Sequence, residues 1–262
     1  MDRIAQDAYL RRIVAERPAA PDADSLRDLQ RRHLVAVPFE NLSIHLGEEI
    51  SLQPDDVVDK IVRRRRGGFC YELNGGFAAL LTGLGYDVQL LAGRVFTGQR
   101  WGIPFDHMAL TVRDESGRRW LVDVGFGQNS HHPLRLDHER DQPDPAGVFR
   151  IERTDDGDLE VLRDGTPQYR LETRPRAPED FAAGCWWHRT SPESHFTGSL
   201  VCSRLTEDGG RVTLGGRDLV FTSPDGERSL SRLAADEVLP AYSEHFGIEL
   251  DREPPPPSRG RR

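Results

Sequence analysis

The 262-residue sequence is poor in cysteine and has no long apolar run. Its three cysteines, Cys70, Cys185 and Cys202, are an odd number without a CxxC pair, which is typical of a reducing compartment without a disulfide framework. No stretch approaches the roughly 20 apolar residues of a membrane-spanning helix. The N-terminus lacks the apolar segment of a secretory signal. We therefore expect a cytoplasmic protein with no membrane partner.

The sequence also has no excess of Lys and Arg over Asp and Glu. Its histidines and glycines lack the spacing of known metal-binding or dinucleotide-binding motifs. A net charge of -8 at pH 7 argues against nucleic acid as a partner, because a phosphate footprint needs a basic face. His131, His132 and His138 have no cysteine or carboxylate at zinc-like spacing, so we expect no metal. The segment "GFG" at 125–127 lacks the spacing and the following helix of a dinucleotide fingerprint.

Hydrophobic patterning divides the chain into three parts and predicts an α+β fold. Residues 1–86 show apolar spacings of three and four, with helix caps and a proline at a helix start. Residues 87–190 contain short β-rich runs between Gly, Asp and Pro turns, which predict an antiparallel barrel or curled sheet. Residues 191–262 predict a smaller α/β unit that ends in a disordered Pro-rich tail, "EPPPPSRGRR".

The segment "RRRRGGFCYELN" (63–74) contains a cysteine at a predicted helix start. The apolar spacing after it places Leu73 and Phe77 on the buried face of that helix, and Cys70 begins the same face. A helix N-terminus or an adjacent imidazole activates a thiol by lowering its pKa. Cys70 is therefore a candidate nucleophile, whereas Arg63 to Arg65 end a solvated helix and Arg66 shapes the turn.

Two later segments supply a candidate histidine and carboxylate. "DHMALTV" and "WLVDVGFG" are separated by "RDESGRR", whose Asp, Ser and Gly predict a hairpin. If the turn centres on Ser116, His107 lies opposite Gly125 and diagonal to Asp123. A carboxylate in so apolar a strand needs a partner, and His107 is the nearest candidate.

Each of these three signals has a structural alternative. An isolated cysteine is usually inert core, a strand histidine is usually a hydrogen-bonded structural residue, and a buried aspartate is usually a turn cap. The conjunction of thiol, imidazole and carboxylate in the order Cys, His, Asp nevertheless favours nucleophilic catalysis.

Five motifs, in order along the chain, resemble those of the arylamine N-acetyltransferase family. They are "VPFENLSIH" (37–45), "RGGFCYELN" (66–74), "DHMAL" (106–110), "VDVGFG" (122–127) and "RTSPESHF" (189–196). The resemblance implies Cys70 as the acetylated nucleophile, His107 as its base or ion-pair partner, and Asp123 as the residue that orients the histidine.

The resemblance also implies a fold and a reaction. The fold is cysteine-protease-like: an N-terminal helical bundle carries the cysteine, a central antiparallel β-barrel carries the histidine and aspartate, and a C-terminal α/β lid follows. Phe126 and Phe39 would line the amine pocket, and Gly125 and Gly127 would lie in the loop that approaches the cofactor. Acetyl-CoA would be the acyl donor, and an aromatic amine or hydrazine the acceptor, in a ping-pong reaction.

Some residues depart from the family pattern and keep alternatives open. Pro104, Phe105 and Asp106 precede the histidine where many relatives have small or hydroxyl residues. Such divergence also occurs in the family's amide synthases, which take a polyketide thioester from an acyl carrier protein and form a macrolactam. A hydrolase of the papain or transglutaminase type and a non-enzymatic relative that binds a CoA-like ligand are further alternatives.

Overall fold

The N-terminal part of the molecule is a bundle of helices. In the computed structural model, which describes residues 1–128 and 130–257, the first two helices are capped by Asp2 and Asp22, whose carboxylates accept hydrogen bonds from backbone N–H groups. The elements are α1 (Arg3–Arg12), α2 (Ala23–Ala36), the short strand β1 (Phe39–Glu40), α3 (Leu42–Leu46), α4 (Pro54–Val62) and α5 (Cys70–Gly83).

The apolar face predicted for α5 is buried. Leu73, Phe77 and Leu81 are fully inaccessible to solvent and pack in one core cluster with Ile61 of α4. Burial of this stripe fixes the rotation of α5 about its axis. The same packing therefore fixes the direction in which Cys70 points.

The central part is an eight-stranded antiparallel sheet that curls into a barrel, with strand order β5-β4-β3-β2-β9-β8-β7-β6. Its two edge strands are bridged by the side chain of Gln142, which accepts a hydrogen bond from the N–H of Arg135 at 2.7 Å and donates one to its carbonyl at 3.0 Å. The strands are β2 (Asp87–Val95), β3 (His107–Arg113), β4 (Arg119–Val122), β5 (Leu134–Arg135), β6 (Gln142–Asp144), β7 (Gly147–Arg153), β8 (Leu159–Arg163) and β9 (Thr166–Arg176).

Strands β3 and β4 form the predicted hairpin. Arg113 pairs with Arg119, and Leu110 pairs with Val122, which is the register expected for a turn centred on Ser116. The ladder ends at the Leu110–Val122 pair. The first residue of β3 and the residue after β4 therefore lie beyond the paired region, where their side chains can face each other.

The C-terminal part combines short helices with a five-stranded sheet of order β1-β10-β11-β12-β13. Phe39 of the N-terminal part pairs with Ser203, so this sheet joins chain segments that are far apart in sequence. The sequence pattern gave no sign of the helix at 182–190. The elements are α6 (Ala182–Thr190), α7 (His195–Gly198), β10 (Cys202–Leu205), β11 (Arg211–Gly215), β12 (Asp218–Thr222), β13 (Arg228–Arg232) and α8 (Val238–Phe246).

The predicted α+β fold is confirmed, with helices first, an antiparallel barrel second and a smaller α/β part last. The domain boundaries after residues 86 and 190 stay predictions. Disorder was predicted for the Pro-rich tail, residues 253–262. Of these, residues 258–262 lie outside the described part of the chain. Within the described ranges, no helix combines the length and apolarity that crossing a bilayer requires.

Candidate active site

Cys70 is the first residue of α5 and is 3% exposed. The N–H groups at the start of a helix make that end electropositive, because they lack partners in the regular helical pattern. Here the N–H of Glu72 bonds to the carbonyl of Phe69 at 3.0 Å. The carboxylate of Glu72 reaches back to the N–H of Phe69, the residue before the helix, at 3.3 Å. Cys70 thus lies at a capped helix start, as the sequence predicted.

His107 and Asp123 lie together, as predicted. Nε2 of His107 is 2.8 Å from Oδ2 of Asp123, and both residues are buried. The imidazole is also within hydrogen-bonding reach of the Cys70 thiol. Burial lowers the pKa of His107, but the Asp123 carboxylate and the Cys70 sulfur outweigh burial and raise this pKa to about 10. Asp123 and Cys70 thus favour the charged, imidazolium form of His107.

Asn74 links the cysteine helix to the two barrel strands, and the sequence analysis missed it. Its side-chain amide donates hydrogen bonds to the carbonyl of Met108 at 2.6 Å and to Oδ1 of Asp123 at 2.9 Å, and its oxygen accepts the N–H of Val124 at 2.9 Å. Asn74 is fully buried. It lies four residues after Cys70, on the same helical face, and this polar residue on a buried face was the available signal.

The loop after β4 packs directly on the cysteine helix. A Cβ added at Gly125 would lie 2.6 Å from the Cα of Cys70, so the close approach requires glycine at this position. The ring of Phe126 lies edge-on to the His107 imidazole, with 5.3 Å between centroids. Gly127 continues the loop with a φ of +87°.

A cavity of about 800 Å³ opens at this site, between the barrel and the C-terminal part. Phe39, Phe126, Gly125 and Gly127 all line it. Gly125 packs on Cys70 and the Phe126 ring contacts the His107 ring, so the cavity adjoins the catalytic candidates. The cavity contains apolar surface and charged groups of both signs. Its further lining includes Arg100, Trp101, Asp106, Trp187, His188, Glu193, His195, Phe196 and Arg211.

A second buried polar group, which we call the ion-pair cluster, lies beside the start of α5. Lys60, the single lysine of the sequence, contacts Glu72 at 2.6 Å. Arg66 contacts Glu40 at 3.0 Å and Glu48 at 3.1 Å. Each carboxylate of the cluster therefore has a cation within ion-pair distance.

The hydroxyl of Ser43 lies at the centre of the ion-pair cluster. It accepts hydrogen bonds from Lys60 at 3.0 Å and Arg66 at 3.3 Å and donates one to Glu48 at 2.8 Å. Burial raises the pKa of Glu40, but Arg66 and Lys60 outweigh burial and hold this pKa below its usual value. Arg66 fixes the chain before Cys70, as its structural interpretation predicted.

The two other cysteines lie in different surroundings. Burial raises the pKa of Cys185 to about 12 and raises that of Cys202 well above its usual value. Both thiols are free and buried. They are protonated packing residues at neutral pH, which leaves Cys70 as the thiol that the site can use.

The histidines at 131 and 132 are bound by a carboxylate. The N–H groups of both residues and the ring of His132 contact Asp144 at about 3 Å. In residues 1–128 and 130–257, no group of three or more His, Cys, Asp and Glu side chains has the arrangement to hold a metal ion.

Comparison with known proteins gives one family. A model described as N-acetyltransferase matches residues 22–254. The arylamine N-acetyltransferases of Escherichia coli (strain K12) and Mycobacterium bovis are 33% and 36% identical to this chain; each match covers 93% of this chain, and 88% and 89% of the relative.

Solved structures agree with the sequence relatives. The arylamine N-acetyltransferase of Mycobacterium marinum in complex with CoA has a TM-score of 0.83 at 34% identity, and the match covers 93% of this chain and 92% of that one. The enzyme of Salmonella typhimurium has a TM-score of 0.87 at 30% identity, with 93% and 91% covered. The chain therefore belongs to the arylamine N-acetyltransferase family, as its five motifs predicted.

Proposed function

We propose that this protein transfers an acetyl group from acetyl-CoA to the nitrogen of an aromatic amine or hydrazine, through an acetyl-Cys70 intermediate. The observation that carries the proposal is the contact of the His107 imidazole with both Cys70 and Asp123, beside a cavity large enough for two substrates in turn. The names of the relatives support the reaction type, and the CoA complex of the M. marinum enzyme supports the donor.

In the first half-reaction, the Cys70 thiolate attacks the carbonyl carbon of the thioester. A carbon–sulfur bond to Cys70 forms, the bond to CoA breaks, and the departing CoA thiolate takes the proton from the His107 imidazolium. Asp123 keeps the imidazole oriented and stabilises its charged form. The N–H groups at the start of α5 favour negative charge on the sulfur before the attack.

In the second half-reaction, the amine nitrogen attacks the acetyl-Cys70 carbonyl and gives its extra proton to the neutral His107. The carbon–sulfur bond breaks, the amide leaves, and the thiolate–imidazolium pair is restored. Aromatic amines suit this step because they are unprotonated at neutral pH, whereas alkyl amines are ammonium ions. Exclusion of water by the aromatic lining protects the thioester from hydrolysis.

The cavity has groups for both substrates. The rings of Phe39 and Phe126 flank it and suit a flat aromatic acceptor. Burial lowers the pKa of Arg211 to about 10, so its guanidinium is charged at neutral pH, and together with Arg100 it offers cations to the phosphates of the donor. Gly125 and Gly127 leave backbone exposed to an approaching ligand. The three free thiols further fit a reducing cytoplasm.

Mass spectrometry after incubation with acetyl-CoA tests the proposal. We expect one added acetyl group, on the peptide that contains Cys70, and its loss as amide when an aniline or a hydrazine is added. Cys70→Ser should remove the modification, and Cys185→Ser, which changes another buried thiol, should keep it. An unmodified wild-type protein would contradict the proposal and favour a carrier-bound donor; CoA release without amide would indicate a hydrolase.

A further inference from the structure

Asp106 is a buried carboxylate at the cavity whose second oxygen has no protein partner. It precedes His107, is 8% exposed and lines the cavity. Its Oδ1 accepts the N–H of Val95 at 2.9 Å. Its Oδ2 lies beside Gly102, which also lines the cavity, and no residue in the described part of the chain donates a hydrogen bond or an ion pair to it.

The position of Asp106 is set by a strained and well-supported backbone. Phe105 has a φ of +62°, in the left-handed region that an aromatic residue rarely adopts. Its carbonyl accepts the hydroxyl of Tyr71 at 2.6 Å, and a Cβ added at Gly184 would lie 2.5 Å from that carbonyl oxygen. The Arg176 guanidinium stacks on the Phe105 ring at 4.8 Å. Strain of this kind persists where the surroundings hold it, often at ligand sites.

The same peptide is tied to the nucleophile. The carbonyl oxygen of Asp106 lies 3.9 Å from the Cys70 sulfur and accepts the ring N–H of His188 at 3.2 Å. The main chain at Asp106 is therefore fixed beside the reacting sulfur, and its side chain lines the cavity. An acceptor bound in this cavity shares it with the Asp106 carboxylate.

The charge state of Asp106 matters for what it can bind. Burial raises the pKa of this carboxyl to about 6, against the weaker effects of the Val95 N–H, His107 and Arg94. At pH 7.5 the group is therefore an anion with one oxygen unpaired. Its unpaired oxygen faces the cavity, and a ligand that brings a cation or a strong hydrogen-bond donor gains a charge-assisted hydrogen bond there.

We infer that Asp106 is a specificity residue that selects acceptors carrying a second, positively charged or hydrogen-bond-donating group besides the reacting aromatic nitrogen. The inference rests on the proposed acetyl transfer and adds the chemical class of the acceptor. The aromatic nitrogen stays neutral and attacks the acetyl-cysteine, while the second group, such as an alkyl ammonium on the ring, contacts Oδ2 of Asp106.

Three anilines of similar size test the inference at pH 7.5, each in the meta and para isomers: aminobenzylamine is cationic, ethylaniline is neutral, and aminobenzoate is anionic. The wild type should show the highest kcat/KM with the cation and the lowest with the anion. Asp106→Asn keeps an oxygen for the Val95 N–H and removes the charge. It should lower the cation-to-neutral ratio of kcat/KM by roughly tenfold or more, the usual effect of losing a hydrogen bond to a charged group.

Glu193, the other carboxylate in the cavity lining, provides the matched control. Loss of the cation preference in Glu193→Gln and its retention in Asp106→Asn would overturn the inference. A wild type that prefers the anion, or shows no preference, would overturn it without any variant. Because each ratio compares acceptors within one variant, a general loss of folding or of the acetyl-cysteine does not imitate the expected result. Failure of the wild type to form acetyl-Cys70 would instead refute the proposed function.

Discussion

Two buried charged clusters lie at the start of α5. In one of them the charged side chains are all paired with each other, and in the other the pair ends at a thiol. The catalytic cluster joins Cys70, His107 and Asp123, and its neighbours Gly125 and Phe126 line the cavity. The ion-pair cluster lies on another side of the helix. Its charges are paired within 4 Å around the Ser43 hydroxyl. Its members are Lys60, Arg66, Glu40, Glu48 and Glu72.

The two clusters share one helical turn but not one face. Cys70 and Glu72 are two residues apart, so their side chains point to different sides of the helix. On one side the charges bind each other and fix the loop before the nucleophile. On the other side the Asp123–His107 pair ends at the Cys70 sulfur, next to the wall of the cavity. Buried charges that are all paired hold the loop in place, whereas a buried pair that ends at a thiol can serve reactivity.

The largest effect should follow from neutralising the catalytic carboxylate. Asp123→Asn removes the charge that, against burial, raises the pKa of His107. The imidazolium is then no longer stabilised, and we expect the rate of Cys70 acetylation by acetyl-CoA to fall roughly 10³- to 10⁴-fold, the scale known for loss of a triad carboxylate. Stopped-flow detection of CoA release measures this rate.

A matched control exists in the same barrel. The side chain of Asp144 is 2% exposed, and its carboxylate contacts the His132 ring at 3.0 Å. Asp144→Asn should leave the acetylation rate within a few-fold of the wild type. Equal losses of acetylation rate in both variants would mean that Asp123 acts only on the fold. The Asp123–His107 pair would then differ in no way from the Asp144–His132 pair.

The second effect concerns stability. Lys60→Met leaves Glu72 buried without its cation, and breaking a buried pair from one side destabilises by about 3–5 kcal/mol. We expect the free energy of unfolding in urea to fall by that amount, while the acetylation rate of the folded fraction stays within a few-fold. Adding Glu72→Gln to the same chain should restore most of the loss, because no buried charge is then left alone.

Arg63 is the control for Lys60. Its side chain is 83% exposed and pairs with Asp59, so Arg63→Ala should cost well under about 1 kcal/mol. If Lys60→Met instead abolishes acetylation at unchanged stability, the ion-pair cluster belongs to the catalytic machinery. The division between a stabilising cluster and a reactive cluster would then be wrong.

Local pattern was enough to predict the features that depend on nearby residues. The cap at Asp22, the buried stripe of Leu73 and Phe77, and the β3–β4 register about Ser116 each follow from spacing within one or two elements. That register, with the apolar context of Asp123, led to the His107 pairing that the structure shows.

The features that were missed depend on contacts between distant segments. The Lys60 side chain meets Glu40, and β1 pairs with β10, yet no local periodicity relates residue 40 to 60 or to 202. Asn74 was visible as a polar residue on an apolar face, but its three partners lie on strands whose position the sequence pattern does not give. The sequence showed Asp106 as a departure from the family pattern. That one of its oxygens faces the cavity without a protein partner could be seen only in the structure.

The smallest expected effect concerns two buried histidines, His188 and His107, whose pKa values are shifted in opposite directions. Burial lowers the pKa of His188 to about 4, whereas that of His107 is raised to about 10. A histidine in the unfolded chain takes up its proton near pH 6.5, before folded His188 does, so its contribution to stability is present above pH 6.5 and is lost as the pH falls toward 4. His107 behaves conversely: its contribution is complete below pH 6.5 and disappears as the pH rises toward 10.

Replacing His188 by glutamine removes this titration while keeping a side chain that can hydrogen-bond to Ser194. The stability advantage of the wild type over His188→Gln should therefore shrink by roughly 2 kcal/mol between pH 7 and pH 4.5, since each unit of pKa difference is worth about 1.4 kcal/mol. Urea unfolding at both pH values measures it. His195→Gln, at an exposed histidine of the next helix, should show no such change. A constant advantage of the wild type at both pH values would mean that His188 takes up its proton at the same pH in the folded and the unfolded protein, so that burial does not lower its pKa. His188 would then be a cation at pH 4.5, hydrogen-bonded to the Asp106 carbonyl beside the nucleophile.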